Sequence, residues 1–104
     1  MTTQNNKFID RFAVLGYGYW GPNIVRNFCQ LLGEESVLVC EPDLARQTVA
    51  RERHPGVSIV ADWSDLLHND LAGAVSLCTP AGMHAEQAQA LLAAGYVIAG
   101  WRNS

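Results

Sequence analysis

The hexapeptide Gly16-Tyr17-Gly18-Tyr19-Trp20-Gly21 joins two apolar segments of different periodicity, and that junction restricts the fold more than any other feature of the chain. Before it, Phe12-Ala13-Val14-Leu15 is an unbroken apolar run with charge on one side and glycine on the other. That is the pattern of a strand buried on both faces. After it, Pro22 suits the first turn of a helix, where its missing N–H costs nothing. Ile24, Val25, Phe28, Leu31 and Leu32 follow at three- and four-residue spacing and form one apolar helical stripe, which Gly33 ends.

The same alternation continues. Val37 to Cys40 reads as a second buried strand closing at Glu41-Pro42, and Leu44 to Arg53 as a polar, surface-lying helix ended by His54-Pro55-Gly56. Val57 to Val60 is a third strand, and Asp62 to Leu67 a brief helix capped by Asp62 or Ser64. Ala74 to Cys78 is a fourth strand, ending at Thr79-Pro80. Met83 to Ala94 is a helix rich in alanine and leucine, stopped by Gly95, and Tyr96 to Ala99 is a fifth strand. Continuous apolar strands separated by helices imply a parallel sheet covered on both faces. Right-handed crossovers then predict a doubly wound α/β fold with strand order 3-2-1-4-5.

Composition removes several classes of function. Seven basic residues against ten acidic leave a net charge of −3 with no basic run, so a nucleic-acid partner is not expected. No apolar run reaches the ~18 residues of a membrane span, and the first residues lack a signal-peptide layout. Cys29, Cys40 and Cys78 are an odd number without a CxxC pair, which reads as reduced thiols in a cytoplasmic protein. Neither they nor His54, His68 and His84 fall at metal-ligand spacing. Fifteen of the seventeen charged residues lie in the first 70 positions, leaving Glu86 and Arg102 in the last 34. Such an uncharged C-terminal third is expected to be covered by a partner surface.

Gly16-x-Gly18-x-x-Gly21 has a chemistry when it follows a strand and opens a helix. Gly16 permits the tight turn, Gly18 lets a pyrophosphate approach the backbone, and Gly21 lets helix and strand pack closely. N–H groups near Tyr19 and Trp20, with the helix dipole, would hold the phosphates. Glu41 ends the second strand, where a carboxylate can accept hydrogen bonds from a ribose diol and repel a 2′-phosphate. NAD is therefore the expected cofactor, with NADP the lesser alternative; Arg46 is read as solvated on its helix. Thr79 either bonds a cofactor ribose or caps the next helix. His84 reads as a local hydrogen-bonding residue. Tyr17, Tyr19 and Trp20 either face the cofactor or pack on a neighbouring strand.

The stretch Val14 to Phe28, together with Glu41-Pro42-Asp43, Asp62-Trp63, Leu77-Cys78-Thr79-Pro80, His84 and the helix ending at Gly95, resembles the Gfo/Idh/MocA oxidoreductases. These take their name from glucose–fructose oxidoreductase and inositol dehydrogenase, and the likeness is greatest to members working on nucleotide sugars. The resemblance implies an NAD(P)-binding Rossmann domain. Gly16, Gly18, Tyr19, Trp20 and Gly21 would line the pyrophosphate and Glu41 the adenosine ribose. Thr79, Pro80 and His84 would lie toward the nicotinamide. The family pattern then runs into Glu-Lys-Pro, whose lysine helps position or protonate the reacting oxygen. Here Trp101, Arg102 and Asn103 stand in that place, and a guanidinium does not shuttle a proton at neutral pH.

The expected organisation is a tail over 1–9, the nucleotide domain over 10–100 and a tail over 101–104, with the family's substrate domain absent. On that reading no catalytic residue is assigned, and the chain binds a dinucleotide without turning over a sugar or polyol. The alternative is a remnant that self-associates through its apolar C-terminal third and binds little nucleotide.

Overall fold

The computed structural model describes residues 11–68 and 71–99. Five parallel strands form one sheet: β1 (Phe12–Leu15), β2 (Val37–Cys40), β3 (Ser58–Val60), β4 (Ala74–Leu77) and β5 (Val97–Ile98). Their order is β3-β2-β1-β4-β5, as the alternation of strands and helices predicts. The first four strands are joined through α1 (Gly21–Leu32), α2 (Leu44–Arg53) and α3 (Asp65–His68), and α4 (His84–Ala93) leads into β5. Register is uniform about the centre, with Ala13 opposite Leu38 and Val75, and Leu15 opposite Cys40 and Leu77.

The two-residue period of the strands sorts the core into two layers. Ala13, Leu15, Leu38, Cys40 and Val75 turn to one face and pack with Leu66 of α3, Leu91 of α4 and Tyr96. Val14, Val37 and Val39 turn to the other and pack with Val25 of α1, Ala50 of α2 and Tyr17. Phe12 and Phe28 stack at a centroid separation of 3.8 Å and clamp α1 to the sheet. Fully burying each large aliphatic side chain contributes about 1.5–3 kcal/mol, so the central strands anchor the fold.

The element boundaries differ from the sequence expectation in specific places. The third strand starts at Ser58, and the fifth holds only Val97 and Ile98. The brief helix starts later, at Asp65, because the Asp62 carboxylate accepts the Ser64 N–H at 3.0 Å and holds a turn there. A 3-10 turn over Ala81–Met83 precedes α4. The apolar stripe of α1 is not buried to its end: Leu31 is 75% exposed, and Leu32 is exposed as well. Twelve helical residues run roughly 18 Å, whereas the four-residue strand beneath covers roughly 13 Å. The last helical turn therefore overhangs the sheet.

Candidate functional site

A cleft of about 910 Å³ opens at the carboxyl ends of the strands, with Leu15, Cys40 and Cys78 in its floor. It lies where the strand order reverses beside β1, the place where open α/β sheets bind ligands. The glycine loop forms one wall. Gly16 donates to the Cys40 carbonyl at 2.8 Å, and Cys78 donates to the Leu15 carbonyl at 2.7 Å. These bonds continue both ladders past β1 and fix the loop between its neighbours. Gly16 has φ +98°, and a Cβ there would stand 2.9 Å from the Cys78 oxygen. A Cβ on Gly21 would collide with the Gly16 carbonyl, so the third glycine brings α1 against the end of β1.

The loop ends in a row of unspent donors. The backbone N–H groups of Gly18, Tyr19, Trp20 and Gly21 meet no acceptor among the described residues. No acidic side chain stands in the first turn of α1, and its N-cap, Trp20, makes no side-chain cap. Both features leave the positive end of the helix dipole uncompensated, which favours an anion. Tyr19 and Trp20 meet edge to face at 4.9 Å and are 83% and 62% exposed, forming an aromatic rim to the cleft. Tyr17 is buried in the core instead.

Glu41 stands across from this loop and is 3% exposed. Its Oε1 accepts the Tyr17 N–H at 2.6 Å and its Oε2 the Asp43 N–H at 2.9 Å. Gln47 donates to its carbonyl at 2.6 Å. The carboxylate thus ties the glycine loop to the end of β2, and each oxygen keeps a further lone pair for a hydroxyl. Arg46 is exposed on α2, as its sequence reading has it, and its side chain also leans toward the loop. Its backbone N–H is capped by Asp43 at 2.9 Å, and its guanidinium reaches over the loop to Gly18.

The third wall follows β4. Thr79 caps no helix; its hydroxyl donates to Gln87 Oε1 at 2.6 Å. His84 Nε2–H donates to the Thr79 carbonyl at 2.6 Å, the local bonding role expected of it. Gln87 is buried, and its Nε2 has no partner among the described residues. Burial pushes the half-buried Cys78 thiol above its usual value. Burial, then Asp65 and Asp62, pushes Cys40 up to about 12. Neither is a nucleophile at neutral pH.

Of the residues singled out from the sequence, Gly16, Gly18, Tyr19, Trp20, Glu41, Thr79, Pro80 and His84 all line this one cleft, and Gly21 packs behind it. Asp62, Trp63, Met83 and Gln87 also line it and were not singled out as site residues. Asp62 and Trp63 follow β3 at the same sheet edge, so the rule that ligands bind at strand carboxyl ends would have found them. Among the described residues no group of His, Cys, Asp or Glu is placed to hold a metal ion, and no helix is long and apolar enough to cross a membrane.

A doubly wound sheet with a glycine loop, a helix N-terminus and a strand-end acid around one crevice defines a dinucleotide-binding domain. The chain belongs to the Gfo/Idh/MocA oxidoreductase family with an NAD-binding Rossmann fold, whose sequence profile matches residues 11–99. It is similar to an inositol 2-dehydrogenase of Pseudarthrobacter chlorophenolicus, 36% identical over 75 residues that cover 71% of this chain and 22% of that protein. Among solved structures it resembles the WlbA dehydrogenase of Chromobacterium violaceum in complex with NADH and UDP-GlcNAcA. That match has a TM-score of 0.71 and 30% identity, covering 85% of this chain and 26% of the other. The myo-inositol 2-dehydrogenase of Lactobacillus plantarum shares the fold, with a TM-score of 0.71 at 19% identity over 85% of this chain and 26% of that one. The chain therefore spans about a quarter of the length of these relatives.

Proposed function

We propose that this chain binds NAD across the cleft and supplies the cofactor-holding part of an oxidoreductase acting on a polyol, sugar or nucleotide sugar. The row of unspent N–H groups from Gly18 to Gly21 carries the reading, because it offers donors and a helix dipole where no side chain uses them. Glu41 would receive the adenosine ribose through its remaining lone pairs. Thr79, Pro80 and His84 would lie toward the nicotinamide, on the β4 side. When bound, the nicotinamide supplies hydride acceptance or donation. This chain's part is to position it: the bonds from Thr79 to Gln87 and from His84 to Thr79 stiffen the wall against which the ring would rest.

These 104 residues on their own are expected to bind without turnover. Hydride transfer needs donor and acceptor held at contact distance, and the relatives that pair NADH with a nucleotide sugar are about three times as long. Calorimetry of the 104-residue chain with NAD should show saturable binding. Gly18→Val should abolish it, because side-chain atoms would occupy the pyrophosphate approach. Absence of heat with the wild-type chain would overturn the reading. Reduction of NAD in the presence of inositol or a nucleotide sugar would overturn the expectation of inactivity.

A second reading is favoured by one surface observation. Val97 on β5 is 65% exposed, Leu92 on α4 is exposed too, and among the described residues β5 pairs only with β4. Self-association along this edge would cover both.

A further inference from the structure

We propose that Arg46 is a movable counter-ion that closes over the dinucleotide and pairs its guanidinium with the pyrophosphate at Gly18. The proposal deepens the nucleotide reading above and rests on it. Its first support is position. Arg46 Nη1 lies 3.3 Å, and Cζ 3.5 Å, from the point where a Cβ on Gly18 would be. The guanidinium thus covers the face of the loop that the missing side chain leaves bare, which is where a pyrophosphate approaches in this kind of fold.

The second support is that the charge is not spent. Glu41 and Asp62 line the same cleft, yet no carboxylate among the described residues forms an ion pair with Arg46. Glu41 gives its oxygens to the N–H groups of Tyr17 and Asp43, and Asp43 gives its own to the Arg46 backbone. The backbone bond fixes the root of the side chain in the first turn of α2 while its head stays free. In a chain of net charge −3, an unpaired guanidinium held over a glycine loop has a partner to gain.

The third support is charge balance. A pyrophosphate diester brings two negative charges. The loop N–H groups and the α1 dipole meet them with partial charges only. Arg46 is the one permanent positive charge among the described residues lining the cleft. The dinucleotide cannot reach Gly18 without displacing the guanidinium, and a shift outward of the exposed side chain keeps the two in contact. Loop and arginine would then hold the phosphates from opposite sides, and a planar guanidinium can offer two parallel N–H bonds.

The test is calorimetric titration of the 104-residue chain and of Arg46→Gln and Arg46→Lys with NAD, NADP and ADP-ribose at two salt concentrations. Arg46→Gln should weaken NAD and ADP-ribose equally, by about tenfold. ADP-ribose keeps the pyrophosphate and lacks the nicotinamide, so an equal loss locates the contact. Arg46→Lys should recover part of the affinity, and the loss should shrink as salt rises. Unchanged NAD affinity in Arg46→Gln would overturn the proposal while leaving the nucleotide site intact. A loss confined to NADP would also overturn it, because the guanidinium would then serve a 2′-phosphate. A wild-type chain that binds none of the three would overturn the nucleotide reading itself. An unchanged urea midpoint for Arg46→Gln would show that the loss is not one of folding.

Discussion

Alanine at Gly16 would face two obstacles at once, a backbone at φ +98° and the Cys78 carbonyl 2.9 Å from its Cβ. Alanine at Gly21 would drive the Gly16 carbonyl away from the start of α1. Each substitution should cost about 1–3 kcal/mol of stability in urea titrations, where left-handed strain and overpacking both act. Gly18→Ala differs, because its Cβ would meet only the movable head of Arg46. It should stay within about 0.5 kcal/mol of wild type and lose NAD affinity, a separation of stability from binding that the other two glycines do not permit. Cys40 offers a second test by pH. Its thiol moves from 9.0 to about 12 on folding because the charged form is buried. A raised acid binds its proton more tightly in the native state, so its contribution is whole below about pH 9 and lost as pH climbs toward 12. Stability should fall by on the order of 1 kcal/mol by pH 10 relative to a Cys40→Ala reference, measured as the difference in pH slope.

Between elements, one carboxylate joins two turns at the amino-terminal edge of the sheet. Glu34 Oε1 accepts the Gly56 N–H at 2.7 Å, and its Oε2 lies 3.6 Å from His54 Nδ1. The turn before β2 is thereby tied to the turn before β3. Glu34→Ala should cost about 1 kcal/mol and raise amide exchange at Gly56 more than at β1; equal exchange at both would refute the tie. This contact joins residues 22 apart through a turn, and no periodicity announces it. The strands were legible for the opposite reason: Val37–Cys40 is buried on both faces, so its apolar run is unbroken. The glycine loop was legible because backbone geometry dictates its residues. The lean of Arg46 toward that loop was not. Whether its guanidinium also reaches Gly18 depends on how the Asp43 cap aims α2, which no spacing encodes. Gln87 was hidden similarly, as a polar residue in an alanine-rich helix whose alignment over the cleft is set by packing of Leu91 on the sheet.

For the molecule as a whole, uneven charge and an open sheet edge point the same way. The last 34 residues hold only Glu86 and Arg102 as charged side chains. Within that stretch Leu91 and Tyr96 are buried, while Met83, Leu92 and Val97 remain exposed. The β5 edge has paired its inner side, Val97 N–H on Gly73 and Ala99 N–H on Val75. Its outer side has no strand beside it among the described residues. An uncharged edge of this kind is a template for pairing with another chain. The 104-residue chain should therefore show a light-scattering mass that rises with concentration. Val97→Lys should hold it at the monomer value, because a lysine on an exposed edge costs little in the monomer and opposes a like charge in the dimer. The cleft lies at the carboxyl ends of the central strands, away from this outer edge, so NAD affinity should be the same in Val97→Lys. A wild-type mass constant over the whole concentration range would exclude association along β5. A rising mass that Val97→Lys leaves unchanged would move the contact elsewhere, with the exposed Leu31 and Leu32 at the overhanging end of α1 the next apolar surface to charge.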